Sequence, residues 1–229
     1  MQSMEQRRER LVAKQLEARG VRDPLVLAAV RSVPRELFVP EHLREAAYED
    51  TPLPIGSGQT ISQPYIVAFM IEALGLKGGE KVLEIGTGSG YAAAVLARIA
   101  REVLTIERIG VLAERASRTL TGAGVHNVRV REGDGTQGWP EEAPFEAILV
   151  SAGAPDVPSS LLSQLAVGGR LVLPVGSDPH SQELARITRV DQKEYRREDI
   201  GDVRFVPLIG KEGWGHDHAD PDPPPSRLI

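Results

Sequence analysis

The residues best suited to chemistry are three closely spaced glycines and a carboxylate one predicted strand further along the chain. Gly86, Gly88 and Gly90 follow the apolar run VLEI. Glycines allow positive φ and a close approach of a ligand, and the helix predicted beyond them offers unpaired N–H groups to oxygen atoms. Glu107 lies 21 residues after Gly86, where a carboxylate accepts hydrogen bonds from both ribose hydroxyls. The spacing predicts a nucleotide-sized site.

Two further observations narrow the ligand. A dinucleotide site needs glycine or alanine three residues after the second glycine, and Tyr91 stands there. Asp134 and Gly135, in the motif GDG, follow a third predicted strand. A GDG alone is most simply a turn, but at the same sheet edge as Glu107 its aspartate could accept a hydrogen bond from an adenine amino group. The set favours an adenosine ligand without a diphosphate.

S-adenosylmethionine fits this description, with its amino-acid end on the glycine turn. We expect contacts from the turn itself, including Thr87 and Ser89, and from Arg108, which follows the ribose-binding Glu107. Glu84 could face the charged amino group of the ligand, or it could be a buried carboxylate that caps the turn. The sequence leaves both roles for Glu84 open.

The elements that would position these residues alternate between strand and helix. Alternation predicts a parallel sheet wound by right-handed crossovers, an α/β fold of the Rossmann-like, doubly wound type. Two late strands with no helix between them predict antiparallel additions at the C-terminal edge. The predicted strands are Lys81–Ile85, Val103–Glu107, Val128–Glu132, Phe145–Val150, Gly169–Pro174, Glu183–Val190 and Asp202–Ile209, and the helices are Tyr91–Ile99, Ile109–Leu120 and Ser159–Leu165.

Additions flank this core at both ends. The N-terminal region, about residues 1–78, predicts helices over Glu5–Arg19, Pro24–Pro34 and Pro64–Leu74, with a loop or short hairpin over Tyr48–Pro64. We expect a single domain over 1–210, with a nucleotide-binding core at about 79–176 and C-terminal strands at about 177–210. The N-terminal region would form a lid over the ligand. Proline and acidic residues predict a disordered or loosely docked tail over 211–229.

Composition excludes several classes of protein. The chain of 229 residues has no cysteine, which rules out disulfides, thiol nucleophiles and cysteine zinc sites. It has no apolar run of the roughly 20 residues that span a bilayer, and its formal net charge of −5 disfavours a nucleic-acid partner. We expect a cytoplasmic monomer with no membrane or nucleic-acid partner.

No catalytic base stands out in the sequence. The five histidines are scattered without metal or triad spacing, so we expect no metal. Ser151 lacks a GxSxG elbow and an adjacent base, so hydrolase chemistry is unsupported. A reaction whose nucleophile is already ionised would need no base.

Several motifs together resemble the protein L-isoaspartate O-methyltransferase family, from about Val21 to Leu208. They are QTISQP at Gln59–Pro64, EIGTGSGY, GDG, FEAILVSAGAP, GGRLVLPVG and VRFVPL. The loop ahead of the glycine turn is the most diagnostic, since many methyltransferases share the turn without it.

The resemblance implies a role for each matching position. Thr60 and Ile61 would lie beside the methyl donor, Ser62 would be the active-site residue, and Ile61, Ser62, Val206 and Leu208 would contact the substrate peptide. Glu107 would bind the ribose, and Asp134 and Gly135 the adenine. The family pattern does not place the residues beyond Leu208, including Trp214.

The implied reaction transfers a methyl group from S-adenosylmethionine to the free α-carboxylate of an L-isoaspartyl residue in a damaged protein or peptide. The ester would collapse to a succinimide off the enzyme, and S-adenosyl-L-homocysteine would be released. The alternatives are a methyltransferase for another small-molecule or RNA acceptor, and a non-catalytic adenosine-binding module. A nicotinamide dehydrogenase is opposed by Tyr91.

Overall fold

A computed structural model describes residues 2–178, 181–215 and 227–228 of the chain, the last pair as backbone only. The strands are β1 (Leu53–Gly56), β2 (Gln59–Ile61), β3 (Lys81–Ile85), β4 (Glu102–Glu107), β5 (Val128–Glu132), β6 (Phe145–Val150), β7 (Leu165–Asp178), β8 (Ser181–Arg189), β9 (Tyr195–Arg204) and β10 (Arg227–Leu228). The α-helices are α1 (Met4–Leu11), α2 (Pro24–Ser32), α3 (Pro64–Leu74), α4 (Tyr91–Leu96), α5 (Gly110–Gly122) and α6 (Ser159–Gln164).

The main sheet has the strand order β10-β9-β8-β7-β6-β3-β4-β5. Strands β3, β4, β5, β6 and β7 pair parallel with one another. Strand β8 pairs antiparallel with β7, β9 with β8, and β10 with β9. This confirms the predicted Rossmann-like α/β class with antiparallel C-terminal additions. The chain passes from β3 to β4 on one side and later returns to form β6 on the other side of β3. The strand order therefore reverses at β3. The crevice at the carboxyl ends of such strands is where open α/β sheets bind ligands.

The C-terminal strands differ from their predicted bounds. Strand β7 extends well beyond the predicted Gly169–Pro174, and β9 ends at Arg204 instead of running through Ile209. The segment after β9 makes only isolated bridges, one of them between Pro207 and Gly153. Proline has no N–H to donate to a neighbouring strand. The polar sequence of β9, which lies between β8 and the edge strand β10, hides its periodicity.

The N-terminal region is helical where the sequence predicts it. Ser3 and Gln6 form a reciprocal capping box at the start of α1. The chain then stays helical, in π and 3-10 geometry, until Gly20 ends it at φ +102°. Asp23 caps α2 by accepting from the Leu25 N–H at 2.8 Å. Further 3-10 turns are Arg35–Phe38, Glu41–Ala46, Gly135–Gln137 and Pro140–Glu142.

Strands β1 and β2 form a hairpin outside the main sheet, with Leu53 paired to Ile61. Its two-residue turn has positive φ at Ser57 (54°) and Gly58 (66°), the requirement of the turns that match strand twist. The hairpin lies over the glycine turn, since a Cβ at Gly88 would come 3.5 Å from Ile55 Cδ1. It delivers the residues before α3 to the sheet edge.

Alternation along β3 divides the core into two apolar clusters. Val82 belongs to the cluster shared with the N-terminal helices, whereas Leu83 and Ile85 belong to the cluster shared with α6. Glu84 lies on the Val82 side of the strand. No helix among the described residues is both long and apolar enough to cross a membrane.

Candidate active site

A cavity opens at the carboxyl ends of β3, β4 and β6, and we call it the central cavity. Loops after these strands form its floor, the β1–β2 hairpin closes one end, and the segment after β9 forms a wall. Its lining residues are Gln59, Thr60, Ile61, Ser62, Val67, Ile85, Gly86, Thr87, Gly88, Ser89, Tyr91, Ala92, Ile106, Glu107, Arg108, Ile109, Gly135, Ser151, Ala152, Val206, Pro207, Leu208 and Ile209. The predicted site residues absent from this lining are Glu84, Gly90 and Asp134.

The glycine turn presents backbone to the cavity. Gly86 and Gly88 have φ of 91° and 53° and line the cavity, which leaves room for a ligand against the chain. Gly90, at φ 88°, has another job. A Cβ there would come within 3.4 Å of Ala116 and Leu120 of α5, so Gly90 serves helix packing. It does not line the cavity, and its contact with the ligand stays a prediction.

Glu107 lies on the cavity wall, nine-tenths buried. Its Oε2 accepts from the Gly88 N–H at 2.8 Å, and its Oε1 accepts from the Ile109 N–H at 3.0 Å. The two bonds fix the carboxylate between the glycine turn and α5. A carboxylate has about four acceptor positions, so both oxygens keep lone pairs for hydroxyl groups of a ligand.

Glu84 is fully buried behind the turn and does not line the central cavity. The Thr105 hydroxyl donates to Glu84 Oε2 at 2.5 Å, and the hydroxyls of Thr105 and Thr87 are 2.6 Å apart. Thr87 lines the cavity, so Glu84 supports the turn through two threonines. The place of Glu84 matches the buried, turn-supporting alternative, and its direct contact with the ligand stays a prediction.

Burial also changes the acidity of Glu84. Desolvation raises the pKa of this carboxyl to about 8, against a lowering by the Thr105 hydrogen bond and a further raising by the charge of Glu107. Glu84 is therefore protonated at neutral pH. Its Oε1 has no partner among the described residues, which a neutral carboxyl tolerates far better than a carboxylate.

Asp134 faces the C-terminal segment instead of the central cavity. Its Oδ1 accepts from the N–H and hydroxyl of Thr136 at 2.9 and 2.7 Å, and its Oδ2 accepts from the Lys211 N–H at 2.8 Å. Partial burial alone would raise the pKa of Asp134, but these hydrogen bonds stabilise the carboxylate and hold its pKa below the ordinary value. Asp134 lines a groove that adjoins the central cavity and shares Arg108 and Ile209 with it. Gly135 lies in the cavity itself.

The segment Ile209–Gly215, which we call the C-terminal clamp, is packed against the sheet edge. Trp214 donates from Nε1 to the Gly153 carbonyl at 2.9 Å and from its N–H to the Leu208 carbonyl at 2.8 Å. Glu212 accepts from the Ser159 hydroxyl at 2.9 Å and from the Ser160 N–H at 3.1 Å. A disordered or loosely docked tail was predicted from residue 211, and residues 211–215 are docked through these hydrogen bonds. Of the rest, only the backbone of 227–228 lies within the described residues.

The loop at the end of β2, which resembles the loop of the methyltransferase family that carries its active-site serine, also lines the central cavity. Thr60 and Ile61 end β2, and Ser62 comes next, half-buried. The Ser62 hydroxyl makes no hydrogen bond to any residue that the structure describes. Val206 and Leu208 lie in the facing wall, which Gly153 holds in place: its N–H donates to the Val206 carbonyl, and its carbonyl accepts from the Leu208 N–H, both at 2.8 Å.

Sequence reasoning missed Arg35, a fully buried arginine beneath this loop. Its Nη2 donates to the Ser62 carbonyl at 2.9 Å. No local pattern could have found it, because its partners are a backbone carbonyl 27 residues away and an aromatic ring of α4. Among residues 2–178 and 181–215, no group of three or more His, Asp or Glu side chains could hold a metal ion.

The fold and the site together define a Rossmann-like methyltransferase. The glycine turn at the end of β3 and the carboxylate of Glu107 at the end of β4 are features of that class. The family model for protein-L-isoaspartate(D-aspartate) O-methyltransferase matches residues 6–213. The chain belongs to this family.

Similar proteins agree with that membership. The chain is 64% identical over 214 residues to protein-L-isoaspartate O-methyltransferase 1 of Rhodopseudomonas palustris strain HaA2, covering 93% of this chain and 87% of that one. It is 59% identical to protein-L-isoaspartate O-methyltransferase 2 of Pelobacter propionicus, covering 93% and 95%. A solved protein-L-isoaspartate O-methyltransferase superposes with a TM-score of 0.80 at 31% identity, covering 90% of this chain and 67% of that one. A Plasmodium falciparum structure, described as such an enzyme in complex with S-adenosyl-L-homocysteine, gives 0.78 at 27%, covering 88% and 98%.

Proposed function

We propose that this protein methylates the α-carboxylate of L-isoaspartyl residues in damaged proteins and peptides, with S-adenosylmethionine as methyl donor. The observation that carries the proposal is one cavity with two different ends. Gly86, Gly88 and Glu107 line one end, and Ile61 and Ser62 line the other. A methyl donor and a carboxylate acceptor must meet in one enclosed space for the transfer to occur.

The cofactor end fits the chemistry of an adenosine. The carboxylate of Glu107 offers acceptors for ribose hydroxyls, Ile85, Ile106 and Ile109 offer apolar faces for a base, and the glycine turn offers backbone. When bound, S-adenosylmethionine supplies an electrophilic methyl group. We assign the contacts to Thr60, Ile61, Gly86, Thr87, Gly88, Ser89, Glu107, Arg108 and Gly135.

We propose that Asp134 accepts a hydrogen bond from the adenine amino group, as predicted, on the condition that its other donors leave an acceptor position. Because Thr136 and Lys211 already donate to its carboxylate, an adenine amino group would share an acceptor with the C-terminal clamp. Affinity for the cofactor would then depend on how the clamp is docked.

The acceptor end needs no general base. A carboxylate of pKa about 4 is already ionised at neutral pH, so the protein only has to hold and orient it. We assign Ser62 as the donor that orients one carboxylate oxygen, and Ile61, Val206 and Leu208 as contacts of the flanking peptide. Exclusion of water by these apolar walls strengthens the electrostatics of the site. Away from the enzyme, the following backbone amide nitrogen attacks the product ester and displaces methanol, which gives a succinimide. Water then opens the succinimide partly to normal aspartate, which makes the activity one of protein repair.

A cytoplasmic, monomeric protein without nucleic-acid partners remains our prediction, as does the single-domain division at 78, 176 and 210. We also keep the hypothesis that the N-terminal region covers the methyl donor, because the hairpin that it carries lines the cavity.

The test uses two peptides of identical sequence, one with isoaspartate and one with aspartate. We expect methyl transfer from S-adenosylmethionine to the isoaspartyl peptide and none to its partner. Equal labelling of the two peptides, or labelling of neither, would overturn the proposal. Labelling of RNA or of a small-molecule acceptor in its place would favour the alternative methyltransferases.

A further inference from the structure

A buried arginine lies directly below the acceptor loop. Arg35 begins a 3-10 turn after α2 and is fully buried. Its Nε donates to the Ala47 carbonyl at 2.8 Å, and its Nη2 donates to the Ser62 carbonyl at 2.9 Å. Its guanidinium carbon lies 4.8 Å from the ring centroid of Tyr91. Ser62 and Tyr91 both line the central cavity, so one side chain contacts the acceptor loop and the cavity floor.

Such burial is costly, and hydrophobic burial does not explain it. Arg35 makes no ion pair with any carboxylate among the described residues, although the charge of Asp50 acts on it from a distance. Burial lowers the pKa of Arg35 to about 10, partly offset by Tyr91 and Asp50, so the side chain stays charged at neutral pH. Two of its nitrogens donate to backbone carbonyls, and the buried Nη1 has no hydrogen-bond partner among the described residues. A charge buried at such a cost is kept for what it fixes.

What Arg35 fixes is the short segment between β2 and α3. The hairpin is separate from the main sheet. From the same N-terminal region, Asp50 accepts from Gln63 Nε2 at 2.8 Å and from the Tyr65 N–H at 3.1 Å. Arg35 and Asp50 therefore hold Ser62, Gln63 and Tyr65 from below. These ties set where the Ser62 side chain stands relative to the glycine turn.

We propose that Arg35 is a positioning residue for methyl transfer, which acts by holding the Ser62 carbonyl against the Tyr91 floor so that the Ser62 hydroxyl meets the acceptor carboxylate. The inference rests on the proposed function. It assigns to the N-terminal region a specific task at the acceptor end, in addition to covering the methyl donor.

A control exists at the far end of α3, the helix that begins two residues after Ser62. Arg170 donates from Nη1 to the Leu74 carbonyl at 2.9 Å, at the C-terminus of α3 and outside the cavity lining. It performs the same kind of hydrogen bonding on a backbone carbonyl without proximity to the acceptor. Arg35→Met and Arg170→Met thus remove comparable ties from the two ends of α3.

The experiment measures kcat at saturating isoaspartyl peptide and the dissociation constant of S-adenosylhomocysteine for both variants, each corrected for its folded fraction. We expect Arg35→Met to lower kcat on the order of 30-fold, as misplacement of a reacting group does, while the dissociation constant changes less than about 3-fold. Arg170→Met should stay within about 2-fold of wild type in both quantities. Wild-type kcat in Arg35→Met, or an equal loss in kcat and cofactor affinity, would overturn the inference.

Arg35→Lys keeps the charge but can reach only one of the two carbonyls, so it tests the same point if Arg35→Met does not fold. We expect kcat to fall about 10-fold, with faster hydrogen exchange at residues 57–66 and unchanged exchange in β3 and β4. Faster exchange throughout the chain would indicate a purely structural role and overturn the inference. If wild type failed to methylate the isoaspartyl peptide, the proposed function would fail, and the local exchange of the variant would still decide whether Arg35 holds the loop.

Discussion

The two ends of the central cavity are built in different ways. The cofactor end stands on the main sheet, where the ends of β3 and β4 place the glycine turn and Glu107 side by side through the parallel register. The acceptor end stands on a two-stranded hairpin outside that sheet, tied by side-chain hydrogen bonds that include those of Arg35 and Asp50. The cofactor end is a product of the fold, whereas the acceptor end depends on a few long-range side chains.

This difference teaches where each kind of specificity is stored. A sheet edge with a glycine turn can serve many acceptors, because nothing in it selects the group to be methylated. The hairpin and its supports make that selection. Changes at the sheet edge should therefore appear in cofactor affinity, and changes at Ser62 and at Arg35, which supports it, should appear in turnover.

The largest expected effect is at Glu107. Replacing Glu107 with alanine removes the acceptor for ribose hydroxyls and leaves the N–H groups of Gly88 and Ile109 unpaired. We expect the dissociation constant of S-adenosylhomocysteine, measured by calorimetry, to rise about 100-fold. Glu102→Ala, at the opposite end of β4, is the control and should bind normally. Unchanged affinity in Glu107→Ala would show that the ribose assignment is wrong.

A second effect concerns stability and pH. The pKa of Glu84 is raised in the folded protein to about 8 from an ordinary value of 4.5, so the folded chain holds a proton that the unfolded chain releases. The free energy of unfolding should fall as pH rises between these values, by about 2 kcal/mol from pH 6 to pH 8 for this group. Glu84→Gln cannot titrate and should lose less stability over that range in urea denaturation. Parallel pH dependence in the two proteins would contradict the assignment.

Turnover is the expected readout at Ser62. The alanine variant loses one hydrogen bond to a charged acceptor, which corresponds to a fall in kcat of about 10-fold. Its affinity for S-adenosylhomocysteine should stay at the wild-type value, because the hydroxyl lies at the acceptor end. A variant with full kcat would return Ser62 to the status of an ordinary loop serine.

The smallest effect is expected at the C-terminal clamp. Trp214→Phe keeps a ring but loses the hydrogen bond from Nε1 to the Gly153 carbonyl. Looser docking of the clamp should weaken cofactor binding about 3-fold through Asp134 and Ile209. If Trp214→Phe and wild type bind S-adenosylhomocysteine equally, the clamp does not contribute to the cofactor end.

The same contrast explains what sequence could predict. The glycine turn, Glu107 and the parallel strands follow from local spacing and periodicity, so the sheet and the cofactor end were accessible. Arg35 was not accessible, because its role depends on a contact across 27 residues. The engagement of Asp134 by Lys211 was hidden for the same reason, and the sequence could not choose between the two roles of Glu84: tertiary packing decides which way a side chain faces. The apolar residues 206–209 were predicted as the end of a strand, but they line the wall of the central cavity. Apolar residues occur in a cavity wall as readily as in a sheet.

The central claim, that the two ends do separate jobs, is tested most directly by a double-mutant cycle of Glu107→Ala and Ser62→Ala. The measured quantity is kcat/KM for S-adenosylmethionine at saturating isoaspartyl peptide. Independent ends predict that the losses multiply, to about 1,000-fold in the double variant. A double variant no worse than Glu107→Ala alone, a coupling of about 1.4 kcal/mol, would contradict the account.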